Sequence, residues 1–127
     1  MTEPVRIEGV VEHGRQLGRQ LGFPTANLSV DGTLSAEDGV YASRAEVDGV
    51  WYDAMSNLGT NPSVGGRVRR LETHIFDFEG SLYGRRLRVE LLHKVRDEQR
   101  FASVDELRAQ IEKDRTTIRK MLGLGNE

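Results

Sequence analysis

Thr25 and Asn27 stand two residues apart in "GFPTANL", directly after Pro24. Proline fixes its own φ and pushes the preceding Phe23 into extended backbone. Residues two apart in extended backbone point the same way, so a hydroxyl and an amide oxygen share a face. Both are oxygen donors suited to a hard cation or to a phosphate-bound Mg²⁺. They can equally cap local backbone where a strand starts. Just upstream, "HGRQLGRQLG" repeats GRQL and spaces Gly14, Gly18 and Gly22 four apart, with Arg15 and Arg19 between them. The GxxxxGK[ST] of a Walker loop is absent, and the arginines and glutamines exclude a membrane GxxxG contact. Arginines among backbone amides freed by glycine suit phosphate oxygens. A flexible surface loop is the plainer reading.

Glu72 offers different chemistry. It follows Arg67, Arg69 and Arg70 and opens a strand-like run in which Glu72, His74 and Phe76 share a face. Glutamate is a poor strand former. A solvated outer face accounts for it, and so does a general base whose pKa is raised by an aromatic neighbour. "VRDEQRF" places Arg96 and Phe101 after the last strand-like run, either as a polar and a ring contact for a ligand or as a solvated link. His13 and His93 are too scattered to argue a zinc site.

Short strands position these groups. "VRIEGVVEHG" alternates and then shifts phase at Val10-Val11, which predicts a bulge or bend near Gly9. "GVYASRAEV" and "VWYDAMSNLG" flank Asp48-Gly49, a strong hairpin signal because both central residues of that turn need φ > 0. "LETHIFDF" and "LYGRRLRVELLHKV" are expected to pair around Glu79-Gly80, with "GTNPSVGGRVRR" as a loop between the two pairs. The tail changes period. Leu107, Ile111, Ile118 and Met121/Leu122 recur at helical spacing, Ser103 with Glu106 makes a capping box, and Gly123 is a natural stop. Evenly spaced strands and one terminal helix predict an antiparallel barrel with the helix packed on it.

The totals fit that picture. A chain of 127 residues suits one core. With 18 basic and 20 acidic residues the net charge is −2, so no global field recruits nucleic acid or an anionic membrane. There are no cysteines, which excludes disulfides, thiolate metal sites and cysteine nucleophiles. No apolar run has signal-peptide or membrane-spanning length, and the expected location is cytoplasmic.

In order along the chain, "GRQLGFPTANL", "DGVYA", "SNLGTNPSVGG", "LETHIFDFEGSLYGRRLRVELLHKVRDEQRFAS" and "LRAQIEKD" resemble the riboflavin kinase (flavokinase) domain, over roughly Val5 to Leu122. The resemblance implies a mainly β fold, a six-stranded antiparallel Greek-key β-barrel with a C-terminal α-helix, as one domain over 1–127. It implies transfer of the γ-phosphoryl of ATP to the ribityl 5′-hydroxyl of riboflavin, giving FMN and ADP, with Mg²⁺ or another divalent metal. By motif, Thr25 and Asn27 would hold the metal and the nucleotide phosphates. Gly14, Gly18 and Arg19 would belong to the nucleotide loop, and Ile75, Asp77 and Tyr83 to the nucleotide side. Glu72 matches the catalytic carboxylate, and Arg96, Gln99 and Ser103 fall on the flavin side. Nothing resembles the FMN adenylyltransferase domain that many bacterial relatives carry. The expected protein is a monomer without nucleic-acid or membrane partners. A non-catalytic flavin-binding barrel is the alternative, against which intact Glu72, Thr25 and Asn27 argue. A barrel for single-stranded nucleic acid would need a basic groove with interleaved aromatics; 6% aromatic residues do not supply one.

Overall fold

Alternation of apolar and polar residues sets the strands. In a computed structural model that describes residues 4–13, 22–31, 33–63 and 66–123, these are β1 (Val5–Val10), β2 (Ala26–Val30), β3 (Gly39–Val47), β4 (Val50–Ser63), β5 (Gly66–Ile75) and β6 (Arg86–Arg96). One helix, α1 (Val104–Gly123), follows. The strands make one antiparallel sheet in the order β1-β6-β3-β4-β5-β2. The sheet curls until its outer strands meet. Just past β1, the Glu12 N–H donates to the Asn27 carbonyl of β2 at 2.8 Å. The result is the expected six-stranded, nearly closed barrel with a C-terminal helix.

Each strand has an inner and an outer face. Ile7, Leu28, Leu58, Leu71, Leu87 and Val89 point inward and fill the barrel. The outer face carries a second apolar cluster of Val40, Ala42, Met55 and Phe76, covered by Ile118 of α1 with Ile111 and Leu122 beside it. The helix begins as expected. Ser103 Oγ accepts from the Glu106 N–H, and Glu106 accepts from the Ala102 N–H, each at 3.1 Å. The Asp48-Gly49 turn is also as expected, with φ of 51° and 83°.

Three expectations are corrected. There is no bulge at Gly9: β1 keeps an unbroken register with β6 from Val5↔Leu91 to Val10↔Arg86. Period two continues through inward Ile7 and Val11, and Val10 is an outward-facing valine. The register shifts lie instead between β3 and β6, at Val40/Tyr41 and Ala42/Ser43. "LETHIFDF" does not pair with the strand after it. Both edges of β5 are already bonded, to β4 and β2, so residues 76–85 carry the chain away to where β6 lies between β3 and β1. The segment "GTNPSVGGRVRR" is not a loop throughout: Thr60 faces Arg69 and Ser63 faces Gly66, which lengthens the β4–β5 hairpin. β3 begins opposite Leu58. Pro62 therefore lies where β4 has one unpaired edge, and its missing N–H is tolerated there.

His74 ties β5 to the start of β2. Its Nδ1–H donates to the Pro24 carbonyl at 2.9 Å, and its ring lies edge-on to Phe23 and Phe76. Burial lowers its pKa below the ordinary value of about 6.5, against the opposing hydrogen bond to Pro24; Arg115 and Arg119 lower it further. The folded state then binds fewer protons than the unfolded chain, so stability rises with pH through this window and falls as pH drops below about 6.5. A pH series of thermal melts should show this loss, and His74→Gln should flatten it. Parallel curves for the two proteins would refute the assignment. Ile118→Ala should cost about 2–5 kcal/mol, as for other buried Ile-to-Ala changes. Urea unfolding should show a lower midpoint at unchanged slope; an unchanged midpoint would mean that α1 docks without this contact.

Candidate functional site

Strand register gathers distant residues into one row. Asn27 of β2 faces Glu72 of β5, Glu72 faces Asn57 of β4, Asn57 faces Val40 of β3, and Val40 faces Arg96 of β6. The inward alternation of Leu28, Leu71 and Leu58 beside them puts this rung on the outer face. Directly opposed residues in antiparallel pairs have Cβ atoms about 4.5–5.5 Å apart. Asn27 and Glu72 are thus neighbours, although 45 positions (72 − 27) separate them in sequence.

At one end of the rung lies a cleft of about 150 Å³ at the barrel mouth. Four of the expected nucleotide-side residues, Thr25, Asn27, Ile75 and Tyr83, line it, along with Glu12, His13, Thr73 and Phe78. His13 and Tyr83 stack with ring centroids 3.7 Å apart and planes 21° apart. Below, a chain of buried hydroxyls runs from Thr73 through Ser56 to Ser43, each link 2.8 Å. It satisfies the polar groups that the inward face would otherwise bury unpaired.

Among the cleft residues Asn27 stands out. It is 3% exposed, and its Oδ1 has no hydrogen-bond partner among the described residues. Thr25, half-buried, is on the same cleft. An orphaned buried amide oxygen beside a hydroxyl fits a hard cation that brings its remaining ligands with it as phosphates and waters. It does not fit an all-protein metal cage, and no cluster of three His, Cys, Asp or Glu side chains suited to a metal occurs among the described residues.

At the other end of the rung, Arg96 is tied to α1. Its Nε donates to both carboxylate oxygens of Asp114, at 3.0 and 3.1 Å, and its Nη2 to Oδ2 at 2.8 Å. Nη1 donates to the Asp97 carbonyl at 3.0 Å, and the guanidinium lies over Phe101. Asp114 is 3% exposed and also accepts from Gln110. Burying an ion pair costs desolvation that the attraction repays only with good geometry. Here several directed bonds supply it, and they join the end of β6, the 97–103 segment and the helix.

Charge gathers around Glu72. Glu98 is next to Gly59, where a methyl group in place of the glycine hydrogen would lie 2.9 Å from its Oε1. Desolvation first, then the charges of Asp38 and Glu72, push the Glu98 carboxyl up; Arg96 opposes them. Two of the arginines upstream of Glu72 make contacts on the barrel surface. Arg69 donates to the Leu34 and Ala36 carbonyls and to Asp38, and Arg70 Nη1 faces Glu12 at 3.6 Å.

Other expected residues fall elsewhere. Asp77 does not line the cleft; it is exposed, at φ 58°, and accepts from Arg119 of α1. The Ser103 hydroxyl caps α1, and Gln99 is exposed in the segment between β6 and α1. Gly14, Gly18 and Arg19 lie outside the described residues. Sequence reasoning missed Asn57, Glu98 and Thr73. Asn57 had a signal, the first asparagine of "SNLGTNPSVGG"; nothing local marks the other two, since register and the path of the 97–103 segment bring them in.

A family model for riboflavin kinase, Flavokinase, matches residues 1–122. The chain is 47% identical over 127 residues to the bifunctional riboflavin kinase/FMN adenylyltransferase of Escherichia coli K12, covering 98% of this chain and 40% of that protein. It is 40% identical over 120 residues to the RNA-binding riboflavin kinase RibR of Bacillus subtilis, covering 93% and 51%. The chain thus spans about two fifths of the first of these relatives. Among solved structures, a Streptococcus pneumoniae protein described as a macrolide-efflux protein matches with a TM-score of 0.84 and 38% identity, over 91% of this chain and 38% of that one. Riboflavin kinase from Trypanosoma brucei matches with a TM-score of 0.65 and 22% identity over 96% and 82%, which supports the fold. No helix among the described residues is long and apolar enough to cross a membrane. The barrel, the PTAN cleft and the rung through Glu72 are thus joined to a family match along nearly the whole sequence, and the chain belongs to the riboflavin kinase (flavokinase) family.

Proposed function

We propose that this chain transfers the γ-phosphoryl of ATP to the ribityl 5′-hydroxyl of riboflavin, giving FMN and ADP. The observation that carries this reading is the rung itself: Asn27, with its orphaned oxygen on the cleft, is directly opposite the carboxylate of Glu72. Phosphoryl transfer asks a protein mainly to position two substrates and to stabilise charge. A cleft for one substrate beside a carboxylate for the other answers both needs. The barrel and α1 serve as one kinase domain, acting as a monomer on these small molecules, and the near balance of charge favours them over a polyanion.

Roles follow from chemistry. Thr25 and Asn27 hold the divalent metal and the phosphates next to it. When bound, that metal neutralises phosphate charge. Ile75 and Tyr83 hold the nucleotide, and Gly14, Gly18 and Arg19 add the loop's amides and a guanidinium. Asp77 acts on the nucleotide side through Arg119 and α1 rather than from the cleft wall. Glu72 accepts the proton of the 5′-hydroxyl as that oxygen bonds to the γ-phosphorus, while the β–γ bridging oxygen departs with ADP. Arg96 and Gln99 serve the flavin, and Ser103 holds the helix that carries Asp114 in place.

An assay of FMN formation from riboflavin, ATP and Mg²⁺ tests the reading. Binding of riboflavin with no product formed would favour a non-catalytic flavin carrier instead. Glu72→Gln should lower the maximal rate by about 10²–10⁴-fold, the usual scale of general-base loss, with little change in binding of either substrate. Near wild-type turnover, with chemistry rate-limiting, would make Glu72 a structural carboxylate. Thr25→Ala and Asn27→Ala should raise the Mg²⁺ and ATP concentrations needed for half-maximal rate and leave riboflavin binding nearly unchanged. Equal losses for both substrates, at unaltered metal dependence, would remove the pair from the metal site.

A further inference from the structure

The rung has a second polar member to which the proposed chemistry gives no task. Asn57 adjoins Glu72 on the side away from Asn27, and beyond it come Val40 and Arg96. Along the same face of β4, Met55 lies under α1 and Gly59 receives the Glu98 carboxylate. Asn57 is half-buried between them, and its Oδ1 is buried without a hydrogen-bond partner. A buried acceptor without a donor is destabilising and rare, so each case calls for an occupant. Three buried side-chain atoms without a hydrogen-bond partner occur among the described residues, two acceptors and one donor. Arg70 Nη1 has Glu12 nearby at 3.6 Å, and Asn27 Oδ1 faces the cleft where metal and phosphates belong. Asn57 Oδ1 is left over, and it is not among the residues that line the cleft.

An amide oxygen can take a cation or a hydrogen-bond donor, and with the metal assigned to the cleft, which Asn57 does not line, a donor is left. Phosphate oxygens and carboxylates are acceptors and cannot fill this position. A flavin carries neutral donors of two kinds, the ribityl hydroxyls and the imide N–H of the ring. We infer that Asn57 is a further substrate-binding residue, whose amide oxygen accepts a hydrogen bond from a ribityl hydroxyl or the ring N–H of the flavin lying between Glu72 and Arg96. The inference rests on the riboflavin kinase reading. It makes Asn57 a selector: a site that waits with an unpaired acceptor rejects a ligand lacking the matching donor.

Asn57→Leu keeps the approximate volume and removes the acceptor. The unliganded variant should melt no lower than the wild type, because an orphaned polar atom has been replaced by an apolar one. Riboflavin affinity, followed by flavin fluorescence in metal-free buffer, should fall by at least about tenfold, the scale of one buried hydrogen bond. MgADP affinity should stay the same. The analogues 3-methylriboflavin and the singly deoxygenated ribityl flavins identify the donor: one should bind the wild type weakly, yet match riboflavin on Asn57→Leu. If the leucine variant does not fold, Asn57→Ala, which also lacks the acceptor, carries the same comparison. Unchanged riboflavin affinity would overturn the assignment, as would a lowered melt with equal loss of both ligands, which marks a structural residue. A wild-type chain that binds no riboflavin at all removes the kinase reading and this assignment with it; a wild type that makes FMN while Asn57→Leu binds riboflavin normally removes the assignment alone.

Discussion

Among the described residues, the barrel closes at a backbone hydrogen bond from the Glu12 N–H to the Asn27 carbonyl. Side chains reinforce the seam: both oxygens of Glu12 accept from Ser29, and Arg70 faces them from β5. An open sheet edge exposes unpaired N–H and C=O groups. Here the edge that would have been open is β2, the strand that carries Asn27. Fixed between Glu12 on one side and Glu72 on the other, Asn27 has little freedom. A polar side chain held this way can be left unsatisfied, because local backbone cannot rearrange to pair it.

The second constraint is the docking of α1 on the outer face. Ile118 buries the apolar patch around Met55 and Phe76, while Asp114 on the same helix holds Arg96. These two contacts pull in different energetic senses. Apolar burial stabilises directly. The ion pair is at best a modest net gain after desolvation, and its directed geometry is what it contributes. Together they set the height of the helix over the sheet and the path of residues 97–103, which bring Glu98 to Gly59 next to Glu72. Burial there, and then the charges of Asp38 and Glu72, raise the cost of ionising Glu98.

Stability and chemistry compete along this rung. Its inner neighbours Leu28, Leu71 and Leu58 are nearly fully buried, as a rigid scaffold requires. Its outer members include two orphaned amide oxygens and a carboxylate. Such groups cost the unliganded fold some free energy, and they persist where surrounding structure holds them. The scaffold's regular pleat is what allows it, since every second residue can be polar without disturbing the packed interior.

Much of this was legible in the residues themselves. The stiff Pro24-Thr25-Ala26-Asn27 segment, the Asp48-Gly49 turn and the capped helical tail are local effects of backbone restriction and side-chain spacing, and they appear where local rules put them. The five ordered motifs carried the family, and with it the barrel. What the sequence misread was non-local. The pairing of β5 depends on which edges other strands have already filled, so the Glu79-Gly80 hairpin looked sound and does not form. The alternation at Gly9 resembled a bulge because one valine faces outward. Asp77 pairs with Arg119 of α1, a contact that its place in the motif does not reveal. The sequence by itself determined the stiff PTAN segment, the Asp48-Gly49 turn, the helical tail and the chemistry these residues bear, because those follow from neighbours a few positions away. Only the tertiary structure decided that Asn27, Glu72, Asn57 and Arg96 share one rung, because register between distant strands is set by closure of the whole sheet.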